Sequence, residues 1–146
     1  MKPDRRTLTL LIDDDSTCNS ISKILLKKNF TGSEDDAVEI ISFDKPQEGL
    51  KYLTDSLLQH KFDKILILLD INMPLMTGWE FLSEYEHIFK NQARIKIYIL
   101  TSSVSKADMD RASENPNIID FISKPLTPAV IQDLYGSLDK VSNNVP

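Results

Sequence analysis

Apolar runs alternate with amphipathic stretches along the whole chain. The runs fall at about 7–13, 38–43, 64–69, 95–100 and 118–122. Ile65 to Leu69 is apolar at every position, as a parallel strand buried on both faces requires. Between the runs, apolar residues recur at helical spacing. The first such stretch, Ser16 to Lys28, carries Cys18, Ile21, Ile24, Leu25 and Lys28 along one side. A second helix is expected to start with Asp44 as cap, Pro46 in its first turn and Gln47 three residues past the cap; Leu50, Leu53 and Leu57 form its buried stripe. The third opens with a capping box, Thr77 and Glu80, and buries Phe81, Leu82, Tyr85, Ile88 and Phe89, with Trp79 packing under the preceding loop. The fourth, Ser105 to Glu114, has only Ala107, Met109 and Ala112 as apolar positions and is weakly anchored. In the last, Thr127 caps, Pro128 fills the first position, and Val130, Ile131, Leu134, Leu138 and Val141 follow. The segment Asn29 to Asp36 reads as an acidic loop, and the end, Ser142 to Pro146, as frayed.

Five strands joined by helices predict an α/β fold: a doubly wound parallel sheet, helices on both faces, strand order 2-1-3-4-5. That order puts the first and third strands side by side at the switch point, where open α/β sheets bind ligands beyond the carboxyl ends of their strands.

The residues delivered there define the chemistry. The first strand ends in Asp13-Asp14-Asp15, the third in Asp70, the fourth in Thr101, and the fifth is followed by Lys124-Pro125. Carboxylates gathered this closely need a raised pKa or a cation. Mg²⁺ is the natural one, being hard and oxygen-seeking. Asp14 and Asp70 are expected to bind it directly, Asp13 through water, and the Asn72 carbonyl to complete the protein's share; Asp15 serves the start of the first helix. Lys124 and Thr101 complete a site for a phosphoryl group, whose transfer needs charge neutralisation and in-line positioning more than covalent help. Asp70 is then the free nucleophile, able to form an acyl phosphate. No phosphate-binding glycine loop occurs, and the chain has only four glycines, so ATP is not expected as direct donor.

Length and charge narrow the classes further. At 146 residues the chain forms a single domain, with a core over about 7–141. A net charge of −5 argues against a nucleic-acid binder, and Lys2, Arg5 and Arg6 read as a solvated basic start. No apolar run approaches the roughly 18 residues that span a bilayer, and no secretory signal is visible; the expected location is cytoplasmic. Cys18 is the only cysteine and reads as a packed thiol, and His60 and His87 read as surface residues.

Taken together, these motifs resemble the receiver domain of a two-component response regulator, over about residues 7–141. Leu11 to Asp15 resembles the family's acidic pocket, and Asp70 with Met73-Pro74 and Gly78 its phosphoacceptor loop. Thr101 is similar to its switch hydroxyl, and Lys124 to its lysine, which in the family usually precedes a cis proline peptide. The resemblance implies a flavodoxin-like fold, Mg²⁺ dependence and phosphotransfer from a histidine kinase or histidine phosphotransfer protein onto Asp70. It implies hydrolysis of the phosphoaspartate by the domain itself, with no other enzymatic activity. It also implies a switch in which Thr101 moves toward the phosphoryl group and Phe121 turns inward, Asn72 and Ser103 tuning dephosphorylation. The expected output is docking to a downstream protein, with a phosphorylation-linked dimer as an option. Tyr98, Met109, Phe121 and Tyr135 are candidates for the partner face. No DNA-binding region follows the last helix, and a stand-alone receiver is expected. Two other classes remain: a degenerate receiver acting as a constitutive binding module, and a Mg²⁺-dependent phosphatase with an aspartyl nucleophile. Asp70-Ile71-Asn72 lacks the second acid that such phosphatases carry.

Overall fold

The structure, a computed structural model, describes residues 5–30, 36–89, 92–103 and 105–141. The expectations for Lys2, for the loop over 31–35 and for the end over 142–146 lie outside the described residues. The elements alternate throughout: β1 (Arg5–Ile12), α1 (Ser16–Lys28), β2 (Asp36–Phe43), α2 (Pro46–Leu58), β3 (Lys64–Leu69), α3 (Gly78–Ile88), β4 (Ile95–Thr101), α4 (Lys106–Glu114), β5 (Ile118–Ser123) and α5 (Pro128–Val141). The strands form one parallel sheet in the order β2-β1-β3-β4-β5, as the pattern predicts.

Alternation along the strands builds two cores, one on each face of the sheet. Leu8, Leu10, Ile12, Ile65, Ile67, Leu69, Ile97 and Ile99 pack against Leu50 and Leu53 of α2 and Phe81, Leu82 and Tyr85 of α3. On the other face, Leu11, Leu66, Leu68, Tyr98 and Leu100 pack against Leu26 of α1 and Ile131, Leu134, Tyr135 and Leu138 of α5. Thr9 of β1 is fully buried among these and shares a 2.8 Å hydrogen bond with the Tyr135 hydroxyl, which satisfies both.

Three expectations need correction. The buried side of α1 is Asn19, Ser22 and Leu26, not the stripe through Cys18, Ile21 and Ile24. Ile21 and Ile24 are exposed, Leu25 is partly buried, and Cys18 is a half-buried free thiol. Both stripes fit a helical period. The helix turns toward the stripe that holds the fully buried Leu26, and there the Asn19 amide donates to the Asp13 carbonyl at 2.8 Å. In α2 the cap is Lys45, without a side-chain bond, rather than Asp44. Pro46 has no N–H to satisfy and a preset φ, so it starts the helix unaided. In α3, Ile88 is exposed on the outer side of the last turn, while Tyr85 and Phe89 hold the inner side. His60 and His87 are exposed, His60 in the left-handed region at φ 50°.

Candidate functional site

The sheet's own hydrogen bonding places the site. Three backbone bonds carry the ladder one residue past the strands. Asp13 N–H donates to the Phe43 carbonyl at 3.2 Å, Asp70 N–H to that of Ile12 at 2.9 Å, and Lys124 N–H to that of Thr101 at 2.9 Å. Asp13, Asp70 and Lys124 are thereby fixed at the carboxyl ends of β1, β3 and β5.

Their side chains converge. Lys124 Nζ donates to Asp13 Oδ2 and, at 3.3 Å, to Asp70 Oδ2, with all three side chains largely buried. The opposite oxygens are held by loop amides: Asp13 Oδ1 accepts from Asp15 N–H at 2.9 Å, and Asp70 Oδ1 from Asn72 N–H at 3.1 Å. Asp15 caps α1 by accepting from Cys18 N–H. Asp14 is exposed at the rim, and one carboxylate oxygen from each of Asp13, Asp14 and Asp70 lies within 4.8 Å of the others. Thr101 is fully buried, its Oγ1 accepting from Ser103 N–H at 3.2 Å. The Lys124–Pro125 peptide is cis, as the resemblance implied.

α3 closes the site from one side. Its cap is the expected Thr77–Glu80 box. Gly78 N–H donates to the Ile71 carbonyl at 3.1 Å. A Cβ on Gly78 would lie 2.7 Å from the Asp70 carbonyl oxygen, so close approach rather than an unusual φ requires glycine here.

Electrostatics follow from this crowding. Burial pushes the Asp13 carboxyl up against the lowering influence of the Lys124 hydrogen bond and the Asp15 amide, and the Asp70 charge adds to the rise. Burial alone would lower Lys124, but its bond to Asp13 and the charges of Asp70 and Asp13 hold it above the ordinary lysine value. Lys124 is therefore a permanent cation among carboxylates, and the excess negative charge is the kind a second cation relieves. The donor set fits a hard cation: it is all oxygen, and the 4.8 Å spread needs only slight contraction to the roughly 3–4 Å between oxygens around Mg²⁺.

Other residues are placed differently from expectation. Tyr98 and Tyr135 are buried, which removes them from an outer partner face. Met109 is exposed and Phe121 half-buried, and both line a groove of about 390 Å³ between α4 and β5. Trp79 packs partly buried against the core cluster that includes Ile71 and Met73 of the loop; its indole N–H donates to Asp108 at 3.4 Å, and Arg111 sits 4.5 Å over its ring. Asn19 and Asp108 escaped the sequence reading. Asn19 has a faint signal, a polar residue on a buried stripe, whereas Asp108 looks like any acid in a first helical turn.

Residues 9–135 match the family model for the response regulator receiver domain. The Helicobacter pylori sensor histidine kinase CheAY is 33% identical over 122 residues, 81% of this chain. The chain covers only 13% of that protein's length. Among solved structures, a two-component response regulator from Cytophaga hutchinsonii superposes with a TM-score of 0.81 at 24% identity, covering 93% of this chain and 98% of that one. A response regulator receiver protein from Dyadobacter fermentans gives 0.76 at 25% identity, covering 91% and 98%. Among the described residues, no helix is long and apolar enough to cross a membrane.

Proposed function

The chain belongs to the response regulator receiver family, and from that premise we propose that it accepts a phosphoryl group on Asp70 in a Mg²⁺-dependent reaction. The observation that carries this reading is Lys124 bridging Asp13 and Asp70 beside the exposed carboxylate of Asp14. A Asp70 carboxylate oxygen attacks phosphorus in a phosphohistidine; the P–N bond breaks and the imidazole leaves with the bonding pair, taking up a proton. Lys124 neutralises the transferring oxygens, and the Thr101 hydroxyl and the loop amides after Asp70 bind them. Asp14, Asp70 and the Asn72 carbonyl would hold Mg²⁺, with Asp13 acting through water, and the ion would supply further charge neutralisation on the phosphoryl oxygens.

The donor is a histidine kinase or histidine phosphotransfer protein, and the setting is cytoplasmic. Ile21 and Ile24 on α1 and Leu75 in the Asp70 loop are 54%, 66% and 88% exposed and offer such a protein apolar contact. The domain turns over its own phosphoaspartate and no small molecule. Its output is a shape change read by a downstream protein: Thr101 moves toward the phosphoryl group and Phe121 shifts within the α4–β5 groove, so that one of two existing arrangements gains population. Radiolabelled phosphohistidine kinase tests the donor. Label passes to this chain with Mg²⁺ and not to Asp70→Asn; transfer to Asp70→Asn to the same extent contradicts the assignment.

A further inference from the structure

β4 ends in Thr101 at the site, and the loop that follows is tied back to Thr101 and onward to the first turn of α4. Ser103 N–H donates to Thr101 Oγ1, while Ser103 Oγ donates to Asp108 Oδ2 at 3.2 Å. Asp108 Oδ1 accepts from the Trp79 indole N–H at 3.4 Å. Trp79 is the second residue of α3, directly after the Gly78 that rests on Asp70 and Ile71. Arg111, one turn along α4 from Asp108, covers the Trp79 ring. Asp108 therefore uses its two oxygens to join the Thr101 loop to the start of α3. It does so from α4, a helix whose one buried side chain is Ala112.

We propose that Asp108 is a positioning residue that relays the state of the phosphoacceptor site, through Thr101 and Ser103, to Trp79 and the α3–α4 face. The proposal rests on the reading that Asp70 receives a phosphoryl group. Packing gives α4 little hold, so its place depends on polar ties at its first turn. Both bonds to Asp108, at 3.2 and 3.4 Å, are stretched beyond the usual hydrogen-bond lengths, so they are weak and easily exchanged. A displacement of Thr101 draws on Ser103, changes what Asp108 accepts, and frees or tightens Trp79 and α4 together. Spatial contiguity alone does not establish coupling, so the test must measure it.

Trp79 is the only tryptophan, so its emission reports on this relay. Mg²⁺ and beryllofluoride are added to wild type, Ser103→Ala, Asp108→Ala, the double variant and Asp110→Ala. Binding is followed by fluorine NMR, and the response by Trp79 emission and amide exchange in α4. Asp110 lies on the same helix in an exposed pair with Lys106 and controls for helix charge. Wild type and Asp110→Ala are expected to bind and to show both responses. Ser103→Ala, which leaves the Trp79–Asp108 bond in place, is expected to bind and to lose most of both responses. The double variant should lose no more than either single one. Full responses in Ser103→Ala, additive losses, or a wild type that binds without any response overturn the relay while leaving phosphoryl acceptance intact. Loss of binding in Ser103→Ala assigns that residue to the site itself and overturns it too. A wild type that does not bind removes the phosphoacceptor reading, and the relay with it.

Discussion

Replacing Gly78 by alanine perturbs the phosphoacceptor loop through one added methyl group. The new Cβ would stand 2.7 Å from both the Asp70 carbonyl oxygen and Ile71 Cα, and 2.8 Å from Ile71 Cγ2. Ordinary carbon contacts lie at about 3.5–4.0 Å, so the overlap approaches an ångström. Two of the three atoms are backbone, so no side-chain rotation relieves it; the loop or the start of α3 must retreat. Overpacking of this kind costs about 1–3 kcal/mol. Gly136 supplies the opposite sign. It lies within α5 and nothing stands within 4 Å of its would-be Cβ, so Gly136→Ala should add about 1 kcal/mol through helix propensity. Gly49→Ala falls between, since its Cβ meets the movable tip of the Ile12 side chain first. Urea unfolding with a check for unchanged slope reads the stabilities. The initial rate of phosphorylation by acetyl phosphate reads the geometry at Asp70. Gly78→Ala should lose stability and phosphorylate more slowly, whereas Gly136→Ala should gain stability at an unchanged rate. If Gly78→Ala matches wild type in both, the close approach of α3 does not position Asp70.

Lys124→Met should slow phosphorylation of Asp70 by about 10²-fold or more, the scale of a lost charge-stabilising donor. It should also cost roughly 3 kcal/mol, because Asp13 and Asp70 are left buried without their cation; Mg²⁺ should restore part of that stability in thermal melts, and a variant as stable as wild type without Mg²⁺ speaks against the bridge. Tyr135→Phe should cost about 1–3 kcal/mol in urea unfolding, since the Thr9 hydroxyl loses its buried partner; a change below 0.5 kcal/mol shows the bond to be dispensable (roughly the scatter of surface substitutions). Burial raises the Tyr85 and Tyr135 hydroxyls from 10.0 to about 12. The folded state thus favours their neutral forms, so this stability is present below pH 10 and is lost as pH climbs through about 12. Melts across that window should fall, less steeply in Tyr135→Phe, and an equal slope in both contradicts the assignment.

Much of the fold is legible because the strands are unambiguous. Ile65 to Leu69 is apolar on both faces over a strand-length run, as a central parallel strand requires. Ser16–Lys28 and Lys64–Leu69 have the bounds that periodicity and caps predict. The site is legible for the same reason: strand ends are easily located, and their polar residues meet by topology. Helix orientation is less so. In α1 two stripes share one period, and the buried one includes Asn19, whose amide bond to the Asp13 carbonyl no hydrophobicity argument detects. Tyr98 and Tyr135 are candidates for a partner face in sequence, yet one is a β4 core residue and the other, from α5, completes a hydrogen bond with Thr9 of β1. Trp79 and Asp108 lie 29 residues apart and meet only because α3 and α4 flank neighbouring strands.

Phosphoryl acceptance at Asp70 is tested most directly by incubating the protein with acetyl phosphate and Mg²⁺ and recording its intact mass. The account predicts one added phosphoryl group, labile to hydroxylamine, absent from Asp70→Asn and absent when EDTA is present. An unmodified mass under these conditions, or an adduct that survives in Asp70→Asn, would contradict it.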